Sequence, residues 1–264
     1  MASRSLSLRG FCAALAYFTR IPDPFDAGKP PVPGLSAHAP WVGWVVGVIA
    51  GSPLLAAPRW YPPLVAAALG LAFSVWITRA LHEDGWADFC DGFGGATGHE
   101  RTLAIMRDPH TGVFGTTGLI VVLLLRFSAL AALAGSLASS PWTLLLVVVS
   151  SHASSRFAAV SFMYTDRYAS PGTPTRAGAM TARFDRTEIV FAALGGALPP
   201  LVLTFVFSWA ALVPLLAIGL ARGMLGAMFR RRLGGYTGDC LGAVQQVSEV
   251  GFLLAAAIVF GTKS

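Results

Sequence analysis

Three aspartates, Asp84, Asp88 and Asp91, stand at i, i+4 and i+7 in the run His82-Glu-Asp-Gly-Trp-Ala-Asp-Phe-Cys-Asp-Gly-Phe-Gly-Gly95. On an α-helix those positions share one face, within about 60° of arc. Gly92, Gly94 and Gly95 are expected to end that helix. Three like charges in one stripe repel, and no Lys or Arg lies three or four residues away to neutralise them. A solvated acidic helix end is the plainer reading, and the missing counter-charges weigh against it. A divalent cation would remove the repulsion. Carboxylate oxygens suit a hard ion such as Mg²⁺, which keeps waters and completes its shell with substrate phosphates. Metal chemistry alone does not identify the substrate.

Two further segments carry groups of the same kind. Arg107 could grip a phosphate oxygen, and Asp108 could serve as metal ligand or base. An ordinary Arg–Asp pair closing a helix before Pro109 is the equal alternative. His82 and His110 read as loop histidines. The run Gly234-Gly-Tyr-Thr-Gly-Asp-Cys-Leu-Gly-Ala243 combines glycines, which let backbone amides approach a phosphate, with Asp239, which could reach the same metal. By itself such a run is usually only a turn. Its value lies in emerging on the same face as the acidic segment.

These residues must be held by helices in a bilayer. Of 264 residues, 55% are hydrophobic and 12% charged, with a mean hydropathy of +0.64. Soluble domains carry about 25% charged residues, so a soluble globule is excluded. Seven windows approach the roughly 20 apolar residues a spanning helix needs: 40–57, 62–80, 112–133, 141–163, 188–209, 210–229 and 241–260. The last is the weakest, since Gln245, Gln246 and Glu249 occupy its first half. These three are expected to face the bundle interior, where polar groups are functional by default. Residues 6–20 read as an amphipathic helix at the membrane surface, stopped by Pro22 and Pro24, with a short first span as the competing reading. No cleavable signal, internal repeat or second domain is apparent, so residues 1–264 form one polytopic, all-α helical bundle.

The net charge of +6 does not indicate nucleic acid, because the arginines sit in short clusters between apolar runs. Arg4, Arg9, Arg20 and Lys29, then Arg101 and Arg107, then Arg167, Arg176, Arg183 and Arg186, then Arg230, Arg231 and Arg232 mark one side of the membrane. The other side holds only Arg59 and Lys263. The positive-inside rule places the amino terminus and the acidic segment in the cytoplasm. Six of the thirteen acids, Glu83, Asp84, Asp88, Asp91, Glu100 and Asp108, fall in that segment. Each would cost about 2.5–3.5 kcal/mol at the bilayer centre, so they must lie in water or a cavity. Arg126, His152 and Arg156 fall inside spans. Arg156 is near enough to the cytoplasmic end to snorkel. For the other two, interhelical hydrogen bonds and a polar cavity both stay open. Three cysteines, Cys12, Cys90 and Cys240, with no CxxC pair suggest neither a disulfide framework nor a zinc site.

Taken in order, the acidic run, Ile105-Met-Arg-Asp108 with Gly112-Val-Phe-Gly115, the glycine-rich run and the early Phe18-Thr-Arg-Ile-Pro22 resemble the adenosylcobinamide-GDP ribazoletransferases, or cobalamin synthases. The resemblance spans nearly the whole chain. Cys90, Cys240 and the stretch Pro109-His110-Thr111 depart from the usual family pattern. The resemblance implies transfer from adenosylcobinamide-GDP to α-ribazole or its 5′-phosphate, with Mg²⁺ and release of GMP, in assembly of the B12 nucleotide loop. It implies a multi-pass protein of the bacterial inner membrane with a cytoplasmic active site. A second copy of the chain or other B12-assembly enzymes stay open as protein partners. The working assignment gives the metal to Asp84, Asp88, Asp91 and Asp239, catalysis to Glu83 or Asp108 as base with Arg107 as phosphate clamp, and substrate contacts to Arg101, Gly235, Thr237 and Gly238.

Two rivals are weaker. The pattern Asp84-Gly-x-Ala-Asp88-x-x-Asp91-Gly is similar to the CDP-alcohol phosphotransferases, but the arginine expected after Ala87 is missing. A transporter would place its ionisable groups near the midplane and often shows inverted repeats. Here the acids crowd at cytoplasmic helix ends.

Overall fold

A computed structural model describes residues 6–25, 34–169 and 183–261, with residues 57–59 through their backbone alone. All the regular elements described are helical. Among the described residues, six helices are long and apolar enough to cross a membrane, and a bent pair could supply a seventh, in agreement with the helical bundle read from the sequence.

Helix α1, Leu8–Phe18, begins where the Ser7 hydroxyl accepts from the Gly10 amide. Eleven residues rise only about 16 Å at 1.5 Å each, half of the ~30 Å hydrocarbon core. It is therefore too short for a span, which removes the competing reading of a short first span. After a 3-10 turn, Leu35–His38, helix α2, Ala39–Trp60, packs along α7, Pro141–Val160. Gly43, Gly47 and Gly51 recur every fourth residue on that seam. A β-carbon at Gly43 would lie 2.6 Å from the His152 carbonyl oxygen, and one at Gly47 would lie 2.7 Å from the Val149 Cα. Small residues at this spacing let two membrane helices touch backbone to backbone.

Helix α3, Pro63–Thr78, stops short of the window expected over 62–80. Arg79 and Ala80 both adopt left-handed backbone, with φ of 58° and 55°, and the chain turns by 88° into α4, Leu81–Gly95. The Arg79 guanidinium donates to the carbonyls of Ala16, Tyr17 and Thr19, which α1 leaves without intrahelical partners at its end. The corner thus ties α1 to the bundle. Its turn carries the acids of α4 out of the apolar path of α3.

The short α5, His99–Ile105, leads to α6, Val113–Ser136. Beyond α7 come α8, Phe162–Thr165, and α9, Arg186–Val206, which starts from a reciprocal cap between Asp185 and Glu188. Helix α10, Val213–Leu233, ends at Gly234 in the left-handed region, φ 68°. Helix α11, Gly238–Gly261, is the hub, touching α4, α6, α7 and α10. Its polar first half, the weak point of the sequence reading, is buried in the bundle.

The loops after α4, α8 and α10 converge at one end. Arg232 donates to the Ala96 carbonyl, and the Tyr236 amide donates to the Arg167 carbonyl. Arg101, Arg107, Arg167, Arg186 and the triplet 230–232 therefore gather where the acidic helix lies. Arg4, Lys29, Arg176 and Lys263, and the side chain of Arg59, which also entered the topology argument, fall outside the described residues.

Candidate active site

The acidic helix and the glycine-rich run meet through their smallest residues. A β-carbon at Gly85 would lie 3.1 Å from the Asp239 Cα and 3.3 Å from the Gly242 Cα. One at Gly242 would lie 3.2 Å from the His82 carbonyl oxygen. Helices α4 and α11 thus cross with their backbones in contact, and Asp239, in the first turn of α11, comes to stand beside the α4 stripe. Electrostatically the groups form one set: Asp88 feels the charges of Asp84 and Asp91, and Asp239 feels those of Asp88 and Asp84. Asp84 is exposed, while Asp88 and Asp239 are half-buried.

Asp91 has a different environment from its neighbours. Its carboxylate accepts from the Gly112 amide at 2.7 Å and the Gly115 amide at 2.8 Å, capping the amino terminus of α6. β-Carbons at Gly112 and Gly115 would fall 2.6 and 2.3 Å from these carboxylate oxygens. That accounts for both glycines of Gly112-Val-Phe-Gly115. The glycines close α4 as expected, the helix ending at Gly95. Gly92 lies under Met106, and Gly94 under Phe114.

The glycine-rich run is shaped by packing as well. Gly235 passes so close to the Arg167 carbonyl oxygen that a β-carbon would lie 2.2 Å away. The Thr237 hydroxyl accepts from the Cys240 amide, starting α11. Gly238 is exposed with open space around it. Burial, with Tyr168 and Asp166 nearby, pushes the Tyr236 phenol up to about 12, so it is a neutral hydroxyl at working pH.

Arg101 and Arg107 are exposed on α5 and just beyond it. Asp108 is exposed and accepts from the His110 amide at 3.0 Å, with the imidazole Nδ1 at 2.7 Å. These bonds hold its carboxyl below the usual range. Glu83 points the other way, into the bundle, where Arg126 Nη1 lies 3.2 Å from its Oε1.

Behind α4 lies a buried polar cluster that ties five helices together. Arg126 of α6 reaches Glu249 of α11 as well as Glu83, and donates to the Ser74 hydroxyl of α3. The other Glu249 oxygen meets His152 Nδ1 at 3.1 Å and Arg156 Nη1 at 3.9 Å, and accepts from Gln245. Two guanidinium groups thus face two carboxylates. Of the two roles left open for Arg126 and His152, interhelical bonding is the one the structure shows. Arg156 also borders a cavity.

That cavity, of about 200 Å³, is lined among others by Asp84, Gly85 and Asp239 on one side and by Phe18, His82, Tyr168 and Tyr236 around it. Neither Glu83 nor Asp108 lines it. No letter pattern marks Tyr168 or Ser36, and Tyr236, though inside the glycine-rich run, is given no role there. Tyr168 and Tyr236 come from loops and Ser36 from the 3-10 turn, and nothing periodic announces them.

Among the described residues, no three acidic, His or Cys side chains converge closely enough to hold a metal unaided, and no basic side chain pairs with Asp84, Asp88 or Asp239. This donor set fits a hard cation that takes one or two carboxylates and fills its other positions with water and substrate oxygens, as Mg²⁺ does. The arrangement can hold a phosphate-bearing ligand against an acidic rim.

The profile of the family described as cobalamin-5-phosphate synthase matches residues 10–257. A protein of Ralstonia nicotianae named adenosylcobinamide-GDP ribazoletransferase is 40% identical over 254 residues, 95% of each chain. Proteins of the same name from Ralstonia pickettii and Shewanella amazonensis are 38% and 36% identical, over 90% and 95% of each chain. No solved structure matches the chain.

Proposed function

The chain belongs to the cobalamin-5-phosphate synthase family, and on that premise we propose that it joins adenosylcobinamide-GDP to α-ribazole or its 5′-phosphate. A sugar hydroxyl of the acceptor attacks the phosphorus that carries the cobinamide arm. The bond from that phosphorus to the oxygen of GMP breaks, GMP leaves, and adenosylcobalamin or its phosphate remains. The hydroxyl proton passes to a carboxylate of the acidic rim, because Asp84 and Asp239 are the acids that line the cavity. The observation that carries this reading is the backbone contact of Gly85 with Asp239 and Gly242, which sets acids from two distant motifs on one wall.

One or two of Asp84, Asp88 and Asp239, with water and substrate oxygens, would hold Mg²⁺, which when bound would neutralise the diphosphate and stabilise the departing phosphate. The chain's own part is to position the two substrates and to leave these carboxylates without a basic partner among the described residues. Asp91 supports the arrangement from behind by pinning α6 to α4. The clustering of arginines at the same end favours a site on the cytoplasmic side of a bacterial inner membrane.

Purified protein in detergent, given both substrates, should release GMP with Mg²⁺ present, lose that activity with a chelator and regain it on adding Mg²⁺. GMP release that is indifferent to chelation would remove the metal from the mechanism. No GMP release from the cobinamide donor would overturn the assignment and reopen the lipid-phosphotransferase and transport readings.

A further inference from the structure

The cavity beside the acidic rim is small. At about 200 Å³ it lies below the roughly 300–1,000 Å³ of pockets for drug-sized ligands. It therefore has no room for a corrin ring or a whole dinucleotide. One bicyclic ring and part of a sugar would fill it.

Its walls are suited to such a ring. Phe18 lies parallel to His82, with 6.3 Å between ring centres and 4° between planes. Tyr168 meets Tyr236 edge-on at 5.6 Å. All four border the cavity, and they come from α1, α4 and two loops. Aromatic faces hold flat heterocycles by stacking. Between them the lining is largely apolar, with Ala159, Val160 and Met163 of the α7–α8 region.

Polar groups of the lining, besides the acids of the rim, His82 and the tyrosines, are few. Ser36 and Arg156 line the cavity and are 1% and 2% exposed. The Ser36 hydroxyl and the Arg156 Nε–H are without partners. Two buried donors suit a ring that offers an acceptor nitrogen. Guanine presents polar atoms around most of its edge. Those that meet the apolar face of Ala159, Val160 and Met163 would be left unpaired, at a cost that sites use to reject wrong ligands.

Resting on the ribazole-transfer reading, we propose that this cavity seats the acceptor's base, a flat, alkylated benzimidazole-type ring carried on ribose. Its sugar hydroxyl is then directed at the wall formed by Asp84 and Asp239. The guanine of the donor lies elsewhere.

Two variants test this: Ala159→Leu, which narrows the cavity, and Tyr168→Leu, which removes a wall outside the long helices. In wild-type protein, α-ribazole should bind saturably by equilibrium dialysis with no donor present. Both variants should raise its Kd and its KM about tenfold or more. KM for adenosylcobinamide-GDP should stay within about twofold. A rise confined to the donor's KM, or displacement of α-ribazole by excess GMP, would make the cavity a guanine site and overturn the proposal. Unchanged constants for both substrates in both variants would overturn it as well. If wild-type protein binds α-ribazole and the variants do not, yet no GMP is ever released, the pocket stands and the transfer reading falls.

Discussion

Asp84, Asp88 and Asp239 are carboxylates with no cation among the described side chains to offset them, whereas both oxygens of Asp91 are taken by backbone amides. The four should therefore respond differently to loss of charge. Asp88→Asn and Asp239→Asn are expected to lower Mg²⁺-dependent GMP release by about 10²-fold or more, the scale of losing one group of a preorganised site, with thermal unfolding in detergent little changed. Asp91→Asn should instead destabilise the protein by about 1.5–3 kcal/mol, the range for hydrogen bonds to a charged group. A normal melting temperature for that variant would show that the cap of α6 contributes nothing. Asp108 belongs to neither class. Its carboxyl, held low by His110, is ionised near neutral pH in the folded and unfolded chain alike, so it adds no pH dependence there. Asp108→Asn should keep most of the wild-type turnover, and its loss would return Asp108 to the chemistry.

At the scale of elements, two junctions set the site. Where α4 crosses α11, Gly85→Ala would force the backbones apart by a few tenths of an ångström, since its β-carbon would press on the Asp239 Cα. That shift separates Asp239 from the stripe. The expected outcome is a higher Mg²⁺ concentration for half-maximal turnover with membrane insertion unaffected, and an unchanged Mg²⁺ titration would contradict it. At the corner between α3 and α4, Arg79 and Ala80 are both left-handed. A non-glycine residue there costs roughly 1–2 kcal/mol. Ala80→Gly should relieve that strain and raise stability by about 1 kcal/mol, seen as a higher melting temperature. Arg79 cannot be replaced as freely, because its guanidinium closes the end of α1.

Over the whole molecule, the cluster around Glu249 joins α3, α4, α6, α7 and α11 behind the acidic rim. Buried ion pairs are costly to break from one side, about 3–5 kcal/mol, because the remaining charge is stranded. Glu249→Gln leaves Arg126 and Arg156 facing Glu83 alone and should destabilise the bundle on that scale. The double variant Arg126→Met with Glu249→Gln should recover part of the loss. Melting temperatures of the three proteins in one detergent decide the matter. A single variant as stable as wild type would mean that water or lipid reaches the cluster.

Much of this molecule could be read before any fold was known. Hydropathy marks its spans because a bilayer demands about 20 apolar residues in a row, and the acid stripe shows because helical spacing is a local property. The uneven arginines gave the same end of the bundle that the loops share in three dimensions. Other features depend on which helix faces meet, and nothing local in a chain records that. Asp239 lies 148 residues beyond Asp91 in the chain, and only the glycine-to-glycine crossing of α4 and α11 brings it to the stripe. Asp91 matches its neighbours in type and spacing, and only the start of α6 on its carboxylate sets it apart. Glu83 sits one position from Asp84, but a helix turns adjacent residues about 100° apart. One faces the cavity and the other an arginine inside the bundle, and tertiary packing alone determined what each would meet.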